Sequence, residues 1–243
     1  MKNRIFLCIC VVCFFVLVNA QTSVNDSVFK QFSEGRFGIF GGVSLPTGDF
    51  SDEEKGAART GFLVGGDFTL PFRTLEKLGW FSTFSVICNS VEEPLADVSL
   101  SLSTGSLKTE AGRWMLITPL TGLKFTHQIS QGLGLYGIAQ AGWMIGRSPN
   151  ITIKTEYHIY NPYDPWEDEE ISITQESAFG YSFAFSLGAG IVINDNINLS
   201  LRYLSGKPKY DIKIDSEGWF DIAVNTTTKQ QTSLFQLVVG YDF

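Results

Sequence analysis

Apolar and polar side chains alternate at every second position along eight stretches of this chain. The clearest stretch begins at Phe179, where large apolar residues alternate with glycine, serine and alanine as far as Ile193. A period of two predicts a β-strand with one apolar face and one small or polar face. The predicted strands cover residues 36–45, 61–72, 80–89, 113–126, 133–146, 179–193, 197–203 and 231–243.

The connections between these predicted strands alternate between short and long. Short returns join strands two and three, four and five, and six and seven, while polar stretches such as 90–112, 147–177 and 207–230 form longer connections. Closing the sheet into a barrel removes its exposed edges, and a closed barrel is one of two backbone structures that can cross a bilayer. The pattern therefore predicts an all-β fold, an eight-stranded antiparallel up-and-down transmembrane β-barrel.

The last predicted strand carries apolar side chains at alternate positions, and the last two of these are aromatic. Its apolar positions are Phe235, Leu237, Val239, Tyr241 and Phe243. This pattern resembles the assembly signal of bacterial outer-membrane β-barrels, although Val238 stands where that signal usually has glycine. The whole strand set resembles the small eight-stranded barrels of the OmpA-like group. The resemblance implies an outer-membrane location, contact with outer-membrane lipids and insertion by the barrel-assembly machinery.

The first 20 residues predict a secretory signal peptide. Lys2 and Arg4 precede an apolar run, and Ala20 closes a plausible cleavage site. Residues 21–35 are predicted to be a polar leader, and residues 36–243 the barrel. Three of the 4 cysteines lie in the predicted signal, so the exported chain would keep Cys88 alone and form no internal disulfide.

Charge and motifs exclude several functions. The net charge of -7 disfavours nucleic acids and anionic surfaces as partners of the chain as a whole. The stretch 132–137, GLGLYG, matches a dinucleotide fingerprint in letters, but it lies in a predicted strand with no helix after it. His127 and His158 are far apart and have no further ligand at metal-binding spacing. No cofactor, metal site or catalytic constellation is therefore expected, and the chain is predicted not to be an enzyme.

Three charged residues fall on the small, polar faces of their predicted strands, namely Asp67, Lys124 and Arg202. In a barrel they would point into the lumen, where charges must pair or stay hydrated. Eight strands enclose an interior that side chains just fill, which favours a salt-bridged structural plug. The alternative is a narrow porin-like channel, because five predicted interior glycines leave room for one: Gly42, Gly65, Gly122, Gly180 and Gly188.

The long connection around residues 157–171 combines aromatic and acidic side chains. A partner-binding surface is predicted there from Tyr160, Tyr163, Asp164, Trp166, Glu167 and Asp168. Such composition suits recognition surfaces, and whether its carboxylates hold Ca²⁺ stays open. The function predicted from the sequence is a structural or interaction barrel that presents four long extracellular loops, without catalysis.

Overall fold

The fold is a β-sheet that closes on itself, seen in a computed structural model that describes residues 35–72, 74–91, 105–159, 167–217 and 222–243. No helix within these ranges is long and apolar enough to cross a membrane. The strands are β1 (Arg36–Thr47), β2 (Ala58–Phe72), β3 (Leu75–Val91), β4 (Gly105–Ala111), β5 (Arg113–Ser130), β6 (Leu133–Arg147), β7 (Ile151–Ile159), β8 (Glu167–Gln175), β9 (Phe179–Ile193), β10 (Ile197–Gly206), β11 (Lys209–Glu217), β12 (Ile222–Lys229) and β13 (Thr232–Asp242).

Eight of these strands form the closed barrel, in the order β1-β2-β3-β5-β6-β9-β10-β13. Closure is made by β13, which pairs antiparallel with β10 on one side and with β1 on the other. All pairings around the ring are antiparallel, so the predicted eight-stranded antiparallel barrel is confirmed.

Short turns gather at one end of the barrel, which is called the short-turn end below. The predicted turn after β9 is present, with Asn194 and Asp195 at φ values of 51° and 63°. Two consecutive residues with positive φ match the twist of a tight hairpin, and Asn and Asp adopt that conformation more readily than most residues. The opposite end, which carries the longer connections, is called the long-loop end.

The two faces of each barrel strand differ as the alternation predicts. Large apolar side chains point outward and stay exposed, as Phe37 and Ile39 do on β1 and Phe183 and Leu187 do on β9. Monomeric soluble proteins do not expose apolar surface on this scale, whereas a barrel in hydrocarbon must do so. The outer wall is therefore built to contact lipid.

The sequence alone had suggested that the longer connections are simple loops, but three of them contain strands. Strands β4, β7, β8, β11 and β12 lie within three of them and continue the barrel wall beyond the long-loop end. They pair in the order β12-β11-β8-β7-β4, and β11 joins this wall to the barrel by pairing with β9. Some of these strands pair with partners far away in sequence, as β4 does with β7 and β8 does with β11, and a pattern confined to one strand does not reveal such pairing.

Candidate functional site

The candidate site is the barrel interior, which side chains fill. At the long-loop end, Phe50, Trp114 and Tyr210 form an aromatic cluster that we call the aromatic plug. The Phe50 and Trp114 rings meet edge-on at 5.3 Å, and the Trp114 and Tyr210 rings at 5.6 Å. Buried aliphatic side chains surround these rings, among them Leu116, Met144, Leu204 and Leu234.

Phe50 reaches the interior because the segment after β1 folds back over the barrel mouth. A 3₁₀ turn, Gly48–Phe50, begins at a glycine with φ of 61°, a conformation that glycine adopts without strain. Two side chains hold the segment down. The Trp114 Nε1–H donates to the carbonyl of Gly56 at 2.9 Å, and the Gln230 amide donates to the carbonyl of Asp49 at 3.1 Å. This segment acts as a lid on the barrel.

A surface ion pair crosses the lid. The Lys55 ammonium donates to the Asp49 carboxylate at 2.7 Å, and both side chains are about half exposed. The hydrogen bond to Asp49 and its negative charge raise the pKa of Lys55. Exposed pairs of this type contribute little to stability, so the lid depends mainly on the buried Phe50 ring.

Tyr210 enters the plug from β11, the strand that extends the wall. Its side chain is 0% exposed and covers Gly146 and Gly180, where any Cβ would collide with the phenol. Its hydroxyl has no hydrogen-bond partner among the described residues. Two of the five glycines that had suggested an open lumen thus accommodate aromatic rings, since Gly180 faces Tyr210 and Gly65 faces the Phe40 ring. The other three, Gly42, Gly122 and Gly188, lie against the backbone of a neighbouring strand.

Polar side chains elsewhere in the interior pair with one another. The Ser85 and Thr118 hydroxyls lie 2.6 Å apart, and the Gln140 amide donates to the Thr83 hydroxyl at 3.2 Å. The Ser44 hydroxyl donates to the Asn89 side chain at 3.2 Å. Buried polar groups need such partners, so these interior positions are satisfied by the protein itself.

The three predicted lumen charges do lie inside the barrel, toward the short-turn end. Arg202 and Asp67 approach to 4.0 Å, and both side chains are almost fully buried. The Arg202 guanidinium also lies over the Phe40 ring at 4.7 Å and donates to the Ser200 hydroxyl. The separation of Arg202 from Asp67 is long for a charge-assisted contact, so the ring and the hydroxyl share in holding the guanidinium.

Lys124 contacts aromatic rings and forms no direct ion pair with a carboxylate of the described residues. Its side chain is 7% exposed, and its ammonium lies over the Tyr136 ring at 4.7 Å and the Phe81 ring at 5.1 Å. No ion pair joins it to any carboxylate of the described chain. Cation–π contacts of this type are worth about 2 kcal/mol when desolvated, which compensates only part of the burial.

A fourth charge, Asp242, belongs with these three and was missed from the sequence. Asp242 is buried in β13 and pairs in register with Gly38, which pairs on its other side with Asp67. Both carboxylates therefore flank Gly38, and each interacts electrostatically with Lys124. We call Asp67, Lys124, Arg202 and Asp242 the charge network; its two cations balance its two carboxylates. The alternation of the last strand does place Asp242 on the inner face, which is the signal that could have revealed it.

The other predicted site residues divide into two groups. Leu237, Val239, Tyr241 and Phe243 are exposed on the outer wall, and Phe235 stacks on Tyr203 at 5.2 Å. Their role in assembly stays a prediction. Tyr160, Tyr163, Asp164 and Trp166 lie outside the described residues, as do the side chains of Glu167 and Asp168. The described side chains contain no group of three His, Cys, Asp or Glu that could hold a metal ion.

Comparison with known proteins finds likeness in solved structures alone. No protein-family model matches the chain, and no curated protein matches it. Ail, the attachment invasion locus protein of Yersinia pestis, is 16% identical over 86% of this chain and 97% of its own, with a TM-score of 0.41. OprG from Pseudomonas aeruginosa is 16% identical over 87% of this chain and 97% of its own, with a TM-score of 0.42. A major outer membrane protein from Thermus thermophilus is 10% identical over 86% of this chain and 100% of its own, with a TM-score of 0.44.

The chain's own geometry defines its class. In a closed ring of eight antiparallel strands, each strand finds backbone hydrogen-bond partners on both sides. The outer wall presents apolar side chains that are compatible with lipid. Even-numbered antiparallel barrels with short turns at one end are the form that bacterial outer membranes contain. The chain therefore has the fold of a small eight-stranded transmembrane β-barrel.

Proposed function

We propose that this protein is a non-conducting outer-membrane barrel that anchors an extracellular β-sheet wall for interaction with a partner, and that it has no catalytic role. The observation that carries the proposal is the filled interior. The aromatic plug blocks the long-loop end, and the charge network occupies the lumen nearer the short-turn end. A side-chain-filled interior is what eight strands are expected to enclose.

The wall beyond the barrel supports the interaction part of the proposal. Short turns face the periplasm in barrels of this kind, so the wall formed by β4, β7, β8, β11 and β12 would face outward from the cell. Along its inner face lie partly exposed aliphatic side chains: Ile151, Ile153, Ile173, Ile212, Ile214 and Val224. Partly exposed apolar surface on a rigid sheet is a common property of protein-binding sites.

Single-channel recording in planar bilayers separates this proposal from the narrow-channel alternative. The purified protein should give no steady ohmic steps, while a large porin with a water-filled channel provides the positive control in the same bilayer. Steady conductance of the unmodified protein, with ion selectivity that changes in Asp67→Asn, would instead establish the channel.

Cysteine labelling on intact cells tests the orientation of the wall. In a Cys88→Ser background, Asn225→Cys on the exposed part of β12 should react with a membrane-impermeant maleimide. Gln131→Cys, in the turn after β5, is the matched control and should react only after the outer membrane is permeabilised. Labelling of Gln131→Cys in intact cells would show that the barrel has the opposite orientation.

A further inference from the structure

The inner face of the wall beyond the barrel carries no charged residue among the side chains that the structure describes. Its direction is fixed by Tyr210, which lies in the buried core, and by Ile212, which packs against that core. The residues that share this face through the register of the sheet are aliphatic, or polar without charge. Among them are Thr109, Ile153, Ile173, Ile214, Val224 and Thr226.

The charged side chains of the same strands lie on the opposite, outer face. They include Glu110 of β4, Lys154 of β7, and Asp211 and Lys213 of β11. Because the wall extends past the barrel, water reaches both of its faces unless a partner covers one, and a solvated sheet face normally carries polar residues. The exposed fractions of Ile173 and Val224 on the inner face are nevertheless 42% and 46%. This segregation indicates that the inner face is covered when the protein functions.

The lid forms a floor at the base of this face. Gln230, directly after β12, donates to the Asp49 carbonyl, and Trp114, near the start of β5, donates to the Gly56 carbonyl. Strands β12 and β4 are the two edges of the wall, and β4 leads directly into β5. The lid therefore crosses the barrel mouth between the bases of both edges. We call the inner face and the exposed surface of the lid together the corner.

The floor of the corner is acidic. Residues 48–57 contain four acidic side chains and one basic side chain. Asp52, Glu53 and Glu54 are exposed in succession between the two anchored ends of the lid. Glu53 pairs with Arg59 at 3.4 Å, whereas Asp52 and Glu54 form no ion pair within the described part of the chain. An uncharged aliphatic wall thus meets a negatively charged floor.

The dimensions of the corner suit a helix. Neighbouring strands lie about 4.8 Å apart, so five strands span about 19 Å, and a strand of nine residues such as β11 is about 30 Å long. An α-helix of about 18 residues is about 27 Å long and 10–12 Å wide with its side chains, so one such helix fits on the face. An extended strand would instead pair along an edge of the sheet and leave the inner face uncovered.

We propose that the corner binds a cationic amphipathic helix of a partner protein. The apolar stripe of the helix would lie on Ile153, Ile173 and Ile214, and its basic side chains would reach Asp52 and Glu54 on the lid. This inference rests on the proposed interaction role of the wall and names the chemical class of its partner.

Fluorescence from a single labelled cysteine tests where the helix binds. In a Cys88→Ser background, Thr226→Cys on the inner face and Asn225→Cys on the outer face are each labelled with a polarity-sensitive dye. Both proteins are placed in nanodiscs of zwitterionic lipid, and the probe is a synthetic 18-residue helix of leucine and lysine with every lysine on one side. Emission from the dye at position 226 should move to shorter wavelength and saturate. The dye at position 225 on the same strand is the matched control and should not respond.

Neutralising the lid tests the electrostatic part of the proposal. Asp52→Asn combined with Glu54→Gln should weaken binding of the leucine–lysine helix about tenfold at low salt, as expected for the loss of two exposed ion pairs. The same variant should lose most of the salt dependence of binding. Asparagine at position 52 keeps the side-chain oxygen that accepts the Glu54 N–H, so the lid keeps its turn. Glu110→Gln removes an exposed carboxylate from the outer face and should bind within about twofold of the unmodified protein.

Replacing one aliphatic side chain tests the apolar part. Ile173→Ser should weaken binding about tenfold, because it removes apolar area that the helix would cover. Ile173→Val keeps most of that area and should retain binding. Thr174→Ser, on the outer face of the same strand, is the matched control and should bind as the unmodified protein does.

Two outcomes would overturn the proposal. The first is the absence of any response from the dye at position 226, or an equal response from the dye at position 225. The second is equal affinity for a helix in which glutamate replaces every lysine, since the acidic floor would then select nothing. Both outcomes are separable from a failure of the proposed function, which is judged by the conductance and by the labelling of intact cells.

Discussion

Trp114 packs edge-on against Tyr210, with ring centroids 5.6 Å apart and ring planes inclined by 63°. This contact joins a barrel strand to a strand of the extending wall, so the aromatic plug and the wall form one structure. The Phe50 ring meets Trp114 from the lid and completes the closure. The long-loop end of the barrel is thus closed by three segments that are distant in sequence.

The Tyr210 hydroxyl provides the first prediction. Because this buried group has no partner among the described residues, Tyr210→Phe should leave the free energy of unfolding unchanged or slightly increase it. Tyr210→Ala should lower that free energy by about 3–5 kcal/mol, since it leaves a cavity among the plug residues. Urea unfolding in detergent micelles, followed by tryptophan fluorescence, measures both changes. A large loss of stability in Tyr210→Phe would reveal a partner for the hydroxyl.

The Arg202–Asp67 pair provides the second prediction. Asp67→Ala leaves a buried guanidinium without its carboxylate, which typically costs about 3–5 kcal/mol. Glu54→Ala, on the exposed lid, is the control and should change little. Heat-modifiability on gels gives the unfolding transition of each variant. Equal transitions for Asp67→Ala and the control would contradict a structural charge network.

Coupling within the charge network gives a third prediction. Contacting groups are not additive, so Asp67→Asn combined with Arg202→Gln should cost less than the sum of the single changes. The coupling of Asp67 with Lys124 should be smaller, because these two described side chains form no direct ion pair. A double-mutant cycle on urea unfolding measures both couplings, and a larger value for Asp67 with Lys124 would contradict the observed geometry.

Gly38 provides the fourth prediction. A Cβ at Gly38 would lie 2.5 Å from an Asp242 oxygen and 2.6 Å from an Asp67 oxygen, so Gly38→Ala should displace both carboxylates and lower the unfolding transition. Gly41→Ala is the matched control, since a Cβ there meets its nearest described neighbour at 3.6 Å. Adding Asp242→Ala to Gly38→Ala should recover part of the loss. Equal stability of the two glycine variants would exclude the close approach.

The terminal strand provides the fifth prediction. Tyr241 and Phe243 stack edge-on at 5.2 Å on the lipid-facing wall, and both match the assembly-signal pattern. The double change to alanine should reduce the amount of folded barrel in the outer membrane of growing cells. Leu201→Ala, an outward residue of the neighbouring β10, is the control and should assemble normally. Normal membrane levels of the double variant would remove the assembly role.

Local alternation determined the barrel and the direction of its side chains. The outward positions of Ile39 and Phe183 and the inward positions of Asp67 and Arg202 follow from a period of two, which any strand imposes on its neighbouring residues. The turn at Asn194 and Asp195 was likewise evident, because it depends on a few adjacent residues. These features need no knowledge of which strands meet.

The tertiary structure alone decided how the interior is filled and how far the wall extends. Phe50 enters the plug through its contact with Trp114, and Asp242 joins Asp67 only because both strands flank Gly38. The polar strand β11 is tied into the sheet by its pairing with β8 and β9. Such contacts join residues far apart along the chain, and a pattern confined to one strand carries no information about its partners.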